Sequence, residues 1–181
     1  MLQPARPASR GRANPQENYM PFEPDFETIA GSRLFIAAGK PTDDTEAAFE
    51  TKFAGTPGEF ELTALGGVEG RDSEVSTLEV VSRGRTREKP GTYKFPRGEF
   101  GIVWLPESDA QKTAEAASRS RAHCSFMLVR QSGVTVFWIG YVLSLSEGGG
   151  ASNDALTGTL TVLRDSETIT ALTPVAPPAQ V

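Results

Sequence analysis

A chain of 181 residues with 38% hydrophobic residues and a formal net charge of −5 is long enough for one domain with its own core, and short for two. No apolar run reaches membrane-spanning length, which excludes a helical membrane segment, and the acidic balance argues against tight binding to nucleic-acid phosphates. The single cysteine, Cys124, excludes an internal disulfide; taken together with the missing membrane-spanning run and secretory signal, it points to an intracellular product or to one assembled inside a cell.

Residues 1–25 contain Pro4, Pro7, Pro15, Pro21 and Pro24, and read as an extended or disordered arm. The first 12 residues carry Arg6, Arg10 and Arg12 with no acid, a charge of +3, so the rest of the chain carries −8. That is a basic arm on an acidic body. No apolar stretch follows the arginines, so the arm does not read as a secretory signal.

SRLFIAAG (32–39) reads as a first strand. Residues 40–59 carry acids, threonines and two prolines, and read as a long excursion from the core with a single helical turn over Thr45–Phe53. FELTALGGVEG (60–70) reads as one short strand ending in glycines. SEVSTLEVVS (73–82) alternates Val75, Thr77, Glu79 and Val81 with Ser76, Leu78, Val80 and Ser82, the period of a strand. The charged stretch 83–98, interrupted by Pro90 and Pro96, predicts an exposed hairpin or loop. EFGIVWL (99–105) predicts a strand.

Residues 107–122 predict the one convincing helix. Ser108 is placed to cap it, Asp109 lies in its first turn, and Arg119 and Arg121 lie late, as the helix dipole favours. Its alanines favour helix and bury little area, so it is expected on the surface of a sheet. Strands follow at 123–131, 134–146 and 155–165, the first two joined by a tight turn at Gln131, Ser132 and Gly133. The expected fold class is mainly β, an antiparallel β-sandwich or barrel with one flanking α-helix at about 107–122. The expected organisation is an arm over 1–25, a β-domain over 26–170 and an extended, proline-rich tail over 171–181.

Little in the sequence carries chemistry. Gly148, Gly149 and Gly150 invite a phosphate-loop reading, but no GK[ST] or GxGxxG spacing accompanies them, and an alternating strand follows instead of a helix. They read as a connector between strands. His123 neighbours Cys124, and adjacent strand residues point to opposite faces, so the pair is poorly arranged for catalysis. Cys124 reads as buried and inert. One His and one Cys cannot supply a zinc site, and Asp43 with Asp44 lack calcium-loop spacing. No catalytic, cofactor-binding or metal-ligating residue is assigned, and the chain is not expected to be an enzyme.

Arg83, Arg85, Arg87 and Lys89 are spaced by two, which places them on one face if the segment is extended. Three readings follow: a nucleic-acid stripe with Tyr93 and Phe95 beside it, a solvated hairpin, or an interface with Asp43, Asp44, Glu46 and Glu50 of another copy. In the last strand Thr157, Thr159 and Thr161 make a polar, uncharged face, and Leu156, Leu160 and Val162 are expected to pack inward.

The order of the pieces is itself informative. EVSTLEVVS precedes a charged loop closing in KPG, the strand EFGIVWL, a helix, CSFMLVRQSGVTVFWIGYVLSLS, a glycine loop and NDALTGTLTVLRD. Over residues 60–170 this resembles the tail tube proteins (major tail proteins) of long-tailed, noncontractile bacteriophages and their prophage relatives. The closing signature lies at Gly140, Val142 and Ser144, then Asp154, Ala155, Leu156, Thr157, Thr161 and Val162. The resemblance implies a structural subunit whose hexameric rings stack into a hollow tube in the virion tail, assembled in the bacterial host cytoplasm. It implies contact with the tail tip or initiator, the tape measure and the terminator, no cofactor, and no membrane. DNA would pass through the lumen without specific binding, past Thr157, Thr159 and Thr161. The basic arm has no counterpart in that pattern. The alternatives are a related secretion or contractile-tail tube subunit, since fold does not fix role, and a small β-barrel nucleic-acid-binding module using Arg83, Arg85 and Arg87 with Tyr93.

Overall fold

The computed structural model describes residues 30–67, 69–80, 85–149 and 155–171. Twelve elements follow in chain order: β1 (Arg33–Ala38), α1 (Glu46–Phe53), β2 (Gly58–Phe60), β3 (Leu62–Ala64), β4 (Asp72–Val80), β5 (Arg85–Lys94), β6 (Arg97–Val103), α2 (Asp109–Ser120), β7 (His123–Val129), β8 (Thr135–Glu147), β9 (Thr157–Arg164) and β10 (Ile169–Ala171). All strand pairs are antiparallel. One sheet runs β2-β1-β7-β8-β9-β6-β3, with β10 also paired to β8, and β4–β5 form a separate two-stranded ribbon.

The sheet order puts β2 and β3 at opposite edges, although only Glu61 separates them in sequence. The sheet curls into a half-barrel, and Glu61 links its two edges. The Val103 amide donates to the Glu61 carbonyl at 2.8 Å and holds the junction. The short strand expected within 60–70 is β3, with Gly66 and Gly67 after it; Phe60 belongs instead to β2, and the chain bends at Glu61 to serve both edges.

Alternation along each strand fills the inside of the curl. Trp138 stacks between Phe100 and Phe126, with ring centroids 6.4 and 5.4 Å apart, on strands from three parts of the chain. Such pairs add roughly 0.5–1.5 kcal/mol beyond the area they bury. Helix α2 lays Ala110, Ala114 and Ala117 on this core. Its small side chains let it come close, and a Cβ on Gly58 would lie 2.4 Å from the Ala110 Cα. The cap is the expected one: Ser108 Oγ accepts from the Gln111 amide at 3.2 Å. Arg121 ends the helix in the left-handed region, at φ 53°.

The outer face of β1, β7 and β8 carries a second core, built on Phe35, Met127, Phe137 and Ile139. It is covered by α1 and β10. Phe49 and Phe53, one helical turn apart, pack on Phe137 with centroids at 5.3 and 6.1 Å. The stretch 40–59 is thus no excursion. It holds a second helix, capped by Thr45, and the edge strand β2.

The tight turn between β7 and β8 forms as expected, with the Gly133 amide donating to the Arg130 carbonyl at 2.9 Å. After Gly148 and Gly149 the chain re-enters as a strand, β9. Gly150 and Asp154 lie outside the described residues.

Candidate assembly interface

The charged stretch expected as a hairpin or loop is the second arm of the ribbon. Asp72 pairs with Lys94 at the root and Val80 with Arg85 near the tip, with a register shift between Ser73 and Val75 beside Pro90. A proline inside a strand is tolerated at such a bulge. At about 3.3 Å per residue the arms are roughly 30 Å long. Every described side chain on them, 72–75 and 88–94, is exposed.

Six contacts fix the root. Arg71 pairs with Glu167 at 2.7 Å and lies over the Tyr93 ring. Arg130 pairs with Glu69 at 2.7 Å. Arg164 donates from its guanidinium to the Gly70 carbonyl at 2.5 Å and lies 4.4 Å over the Phe95 ring. Tyr93 and Phe95 meet edge to face at 5.7 Å. Arg164 is 4% exposed, and burial lowers its pKa. It grips both chain segments that enter and leave the ribbon. Sequence reading missed this cluster. Its signal was a charged residue in the buried register of Leu160 and Val162.

The basic stripe is only partly in view. Arg83 lies outside the described residues, as do the side chains of Arg85 and Arg87, whose backbone is in β5. Lys89 is exposed opposite Ser76. Asp43 and Asp44 lie exposed in the turn before α1, with Glu46 in its first turn and Glu50 on its outer side. Thr45 Oγ1 donates to the Asp43 carboxylate. Asp43 and Asp44 border a depression of about 440 Å³ with Lys40, Pro41 and Asp165. Asp44 also faces Phe49, Tyr93, Phe95 and Glu167 across a second, of about 410 Å³. Asp44 therefore sits beside the ribbon's root and Lys89 sits along its arm. Among the described residues no ion pair joins the two groups within one chain.

On β9, Thr159 is exposed and Thr157 and Thr161 are half-buried on the outer face of the sheet, while Leu160 and Val162 belong to the core. Ser144 pairs with Thr161 and Ser146 with Thr159, widening this hydroxyl-bearing face onto β8. Leu156 corrects the expectation of inward packing: it precedes β9 and is 43% exposed. Its carbonyl accepts from the Trp104 amide, and that bond holds it at the rim where the strand alternation has not begun.

His123 and Cys124 part as expected. Cys124 is buried in the inner core, and burial pushes its thiol pKa up. His123 turns to the other face, with Nε2 2.9 Å from the Asp165 carboxylate and its ring against Tyr141. Among the described residues no three His, Cys, Asp or Glu side chains gather as a metal ion would require.

The architecture has counterparts among solved structures. A chain of the anti-feeding prophage baseplate superposes with a TM-score of 0.53 at 13% identity, covering 77% of this chain and 91% of that one. The SPP1 tail tube protein superposes with a TM-score of 0.52 at 16% identity, covering 79% of this chain and 78% of that one. This is the tail tube fold. At such identities the likeness is one of fold. No family model matches the sequence, and no curated protein matches it. This chain is mainly β, as the sequence predicted, with a curled antiparallel sheet and two helices where one was expected.

Proposed function

We propose that this chain is the structural subunit of a phage tail tube: hexameric rings that stack into a hollow tube and conduct DNA during ejection. The observation that carries this reading is the tail tube fold itself, extending over 79% of the chain in the superposition on the SPP1 tail tube protein. Two features support it. The ribbon leaves its described side chains uncovered, and a two-stranded ribbon is marginal alone in water. The chain is acidic, at −5, which suits a wall that repels phosphates and lets a duplex slide.

In this reading the ribbon of one copy reaches a neighbour, so that Arg83, Arg85, Arg87 and Lys89 meet Asp43, Asp44, Glu46 and Glu50. Thr157, Thr159 and Thr161 line the lumen, offering hydroxyls to water and no charge to DNA. The role is structural and non-enzymatic. The partners are further copies, then the tip or initiator, tape measure and terminator of a virion tail assembled in the bacterial host cytoplasm.

A second reading, a tube subunit of a contractile injection apparatus, is favoured by the superposition on the anti-feeding prophage baseplate chain. Light scattering with negative-stain microscopy across a concentration series tests both. Hollow tubes or six-fold rings are expected. A chain that forms neither, even with tail-tip proteins, and binds single-stranded DNA with a steep salt slope would replace both readings with a nucleic-acid module.

A further inference from the structure

Strand β8 outruns one of its partners. It pairs with β7 only as far as Tyr141, opposite His123. From Val142 to Glu147 it keeps β9 on one side, and among the described residues no strand lies on the other. Exposure changes at the same point: Val136 to Gly140 are buried, and Leu143, Ser144, Ser146 and Glu147 are exposed. The Gly148 amide donates to the Thr157 carbonyl at 2.7 Å. By the alternation of an antiparallel ladder, the N–H and C=O of Ser146 then turn toward β9, and those of Leu145 and Glu147 turn to the open side. Six residues of strand make an edge of roughly 20 Å, a template for another strand.

The ribbon carries the edge that fits it. Strand β5 is the guarded side: Pro90 has no N–H to give, and Arg85, Arg87, Lys89 and Lys94 set charge along it. Strand β4 holds neither proline nor lysine, and its pairing with β5 occupies one side only. Each of the two open edges also holds a large apolar side chain in water, Val75 at 61% and Leu143 at 42% exposure. Within one chain β4 and β8 do not pair. The ribbon's root is held by Arg164, opposite Gly140, and the open half of β8 leads away from it to Glu147, opposite Gly158. We infer that β4 of one copy pairs with the open half of β8 in a second copy, extending the main sheet across the contact and covering Val75 and Leu143. Main-chain hydrogen bonds supply the affinity in such strand addition. The contact joins two different surfaces, so each copy can engage a neighbour at either edge. It rests on the self-association that the tube reading requires, and not on a lumen or DNA. Strand β5 is left on the far side of the ribbon, open to the acids of a neighbour.

Residue-resolved amide hydrogen exchange on the dilute and the associated full chain tests it, with association followed by light scattering. The Leu145 and Glu147 amides should exchange many times more slowly once copies associate. Glu147→Pro removes one open-side donor and spares the β9 ladder, as proline on an edge strand can; it should abolish association. Glu147→Gln keeps the N–H and should associate as the parent does. Circular dichroism checks that the proline variant is folded, and cross-linking decides if it is not. Chains carrying Ser146→Cys are mixed with chains carrying Val75→Cys and treated with a short bismaleimide, Cys124 being buried. Mixed dimers are expected. Parental association by a folded Glu147→Pro chain would overturn the pairing, as would cross-links only between two Ser146→Cys chains. A chain monomeric at every concentration would overturn it together with the tube reading. Tubes whose Leu145 and Glu147 amides exchange as fast as in the dilute chain would overturn the pairing alone. Slowed amides in assemblies that are not tubes would uphold the pairing and remove the tube reading.

Discussion

Arg164 occupies the apolar register of β9, between a core it does not join and a ribbon it holds. Its guanidinium donates to the Gly70 carbonyl and lies over the Phe95 ring, partners that flank the ribbon. Arg164→Ala should therefore cost about 1.5–3 kcal/mol in urea denaturation, the value of a charge-assisted hydrogen bond. Arg164→Lys should recover little of that, since an ammonium cannot stack as a planar guanidinium does. Cys124 gives a second test. Iodoacetamide should leave it unmodified in the folded chain and modify it in denaturant. Because burial raises its pKa, the unfolded chain ionises first as pH rises. Stability from this group is complete below the unfolded pKa of about 8.5 and is lost as pH climbs toward the folded value. The opposition of His123 and Cys124 was legible from strand parity alone. The Arg164 grip was not, because Gly70 lies 94 residues away and pattern reading sees only neighbours.

Elements were legible where local rules set them. Helix α2 announced itself through Ser108, Asp109 and its alanines. Helix α1 was read as a single turn, because its pattern is carried by only Phe49 and Phe53, and their worth depends on Phe137 in a distant strand. Thr45→Ala should cost roughly 1 kcal/mol through the lost cap, read by thermal or urea unfolding. Gly58→Ala should be worse. Its methyl meets the α2 backbone at 2.4 Å, and such overpacking costs typically about 1–3 kcal/mol. If Gly58→Ala left stability unchanged, the close seating of α2 on β2 would be wrong. The split of 58–64 between two sheet edges could not be read from sequence. Each half is three residues long, below what any periodicity resolves.

At the scale of the whole molecule the sequence conveyed the fold class, and missed that the charged stretch belongs to a ribbon outside the main sheet. The assembly reading makes its prediction here. Arg83→Glu with Arg85→Glu should leave the unfolding free energy of the isolated chain unchanged within about 0.5 kcal/mol, as surface changes do, while blocking ring stacking in negative-stain images. Normal stacking by that variant would remove the basic stripe from the interface.

The meeting of the sheet edges at Glu61 also governs how the molecule comes apart. Most open sheets fray from their outermost strands, and local openings there cost little. Here neither outermost strand can peel off without dragging the other, because one residue links them. Amides of β2 and β3 should thus exchange through the same global opening as those of β7 and β8, in a single cooperative step. The β4–β5 ribbon, outside that loop of chain, should open on its own and far more often.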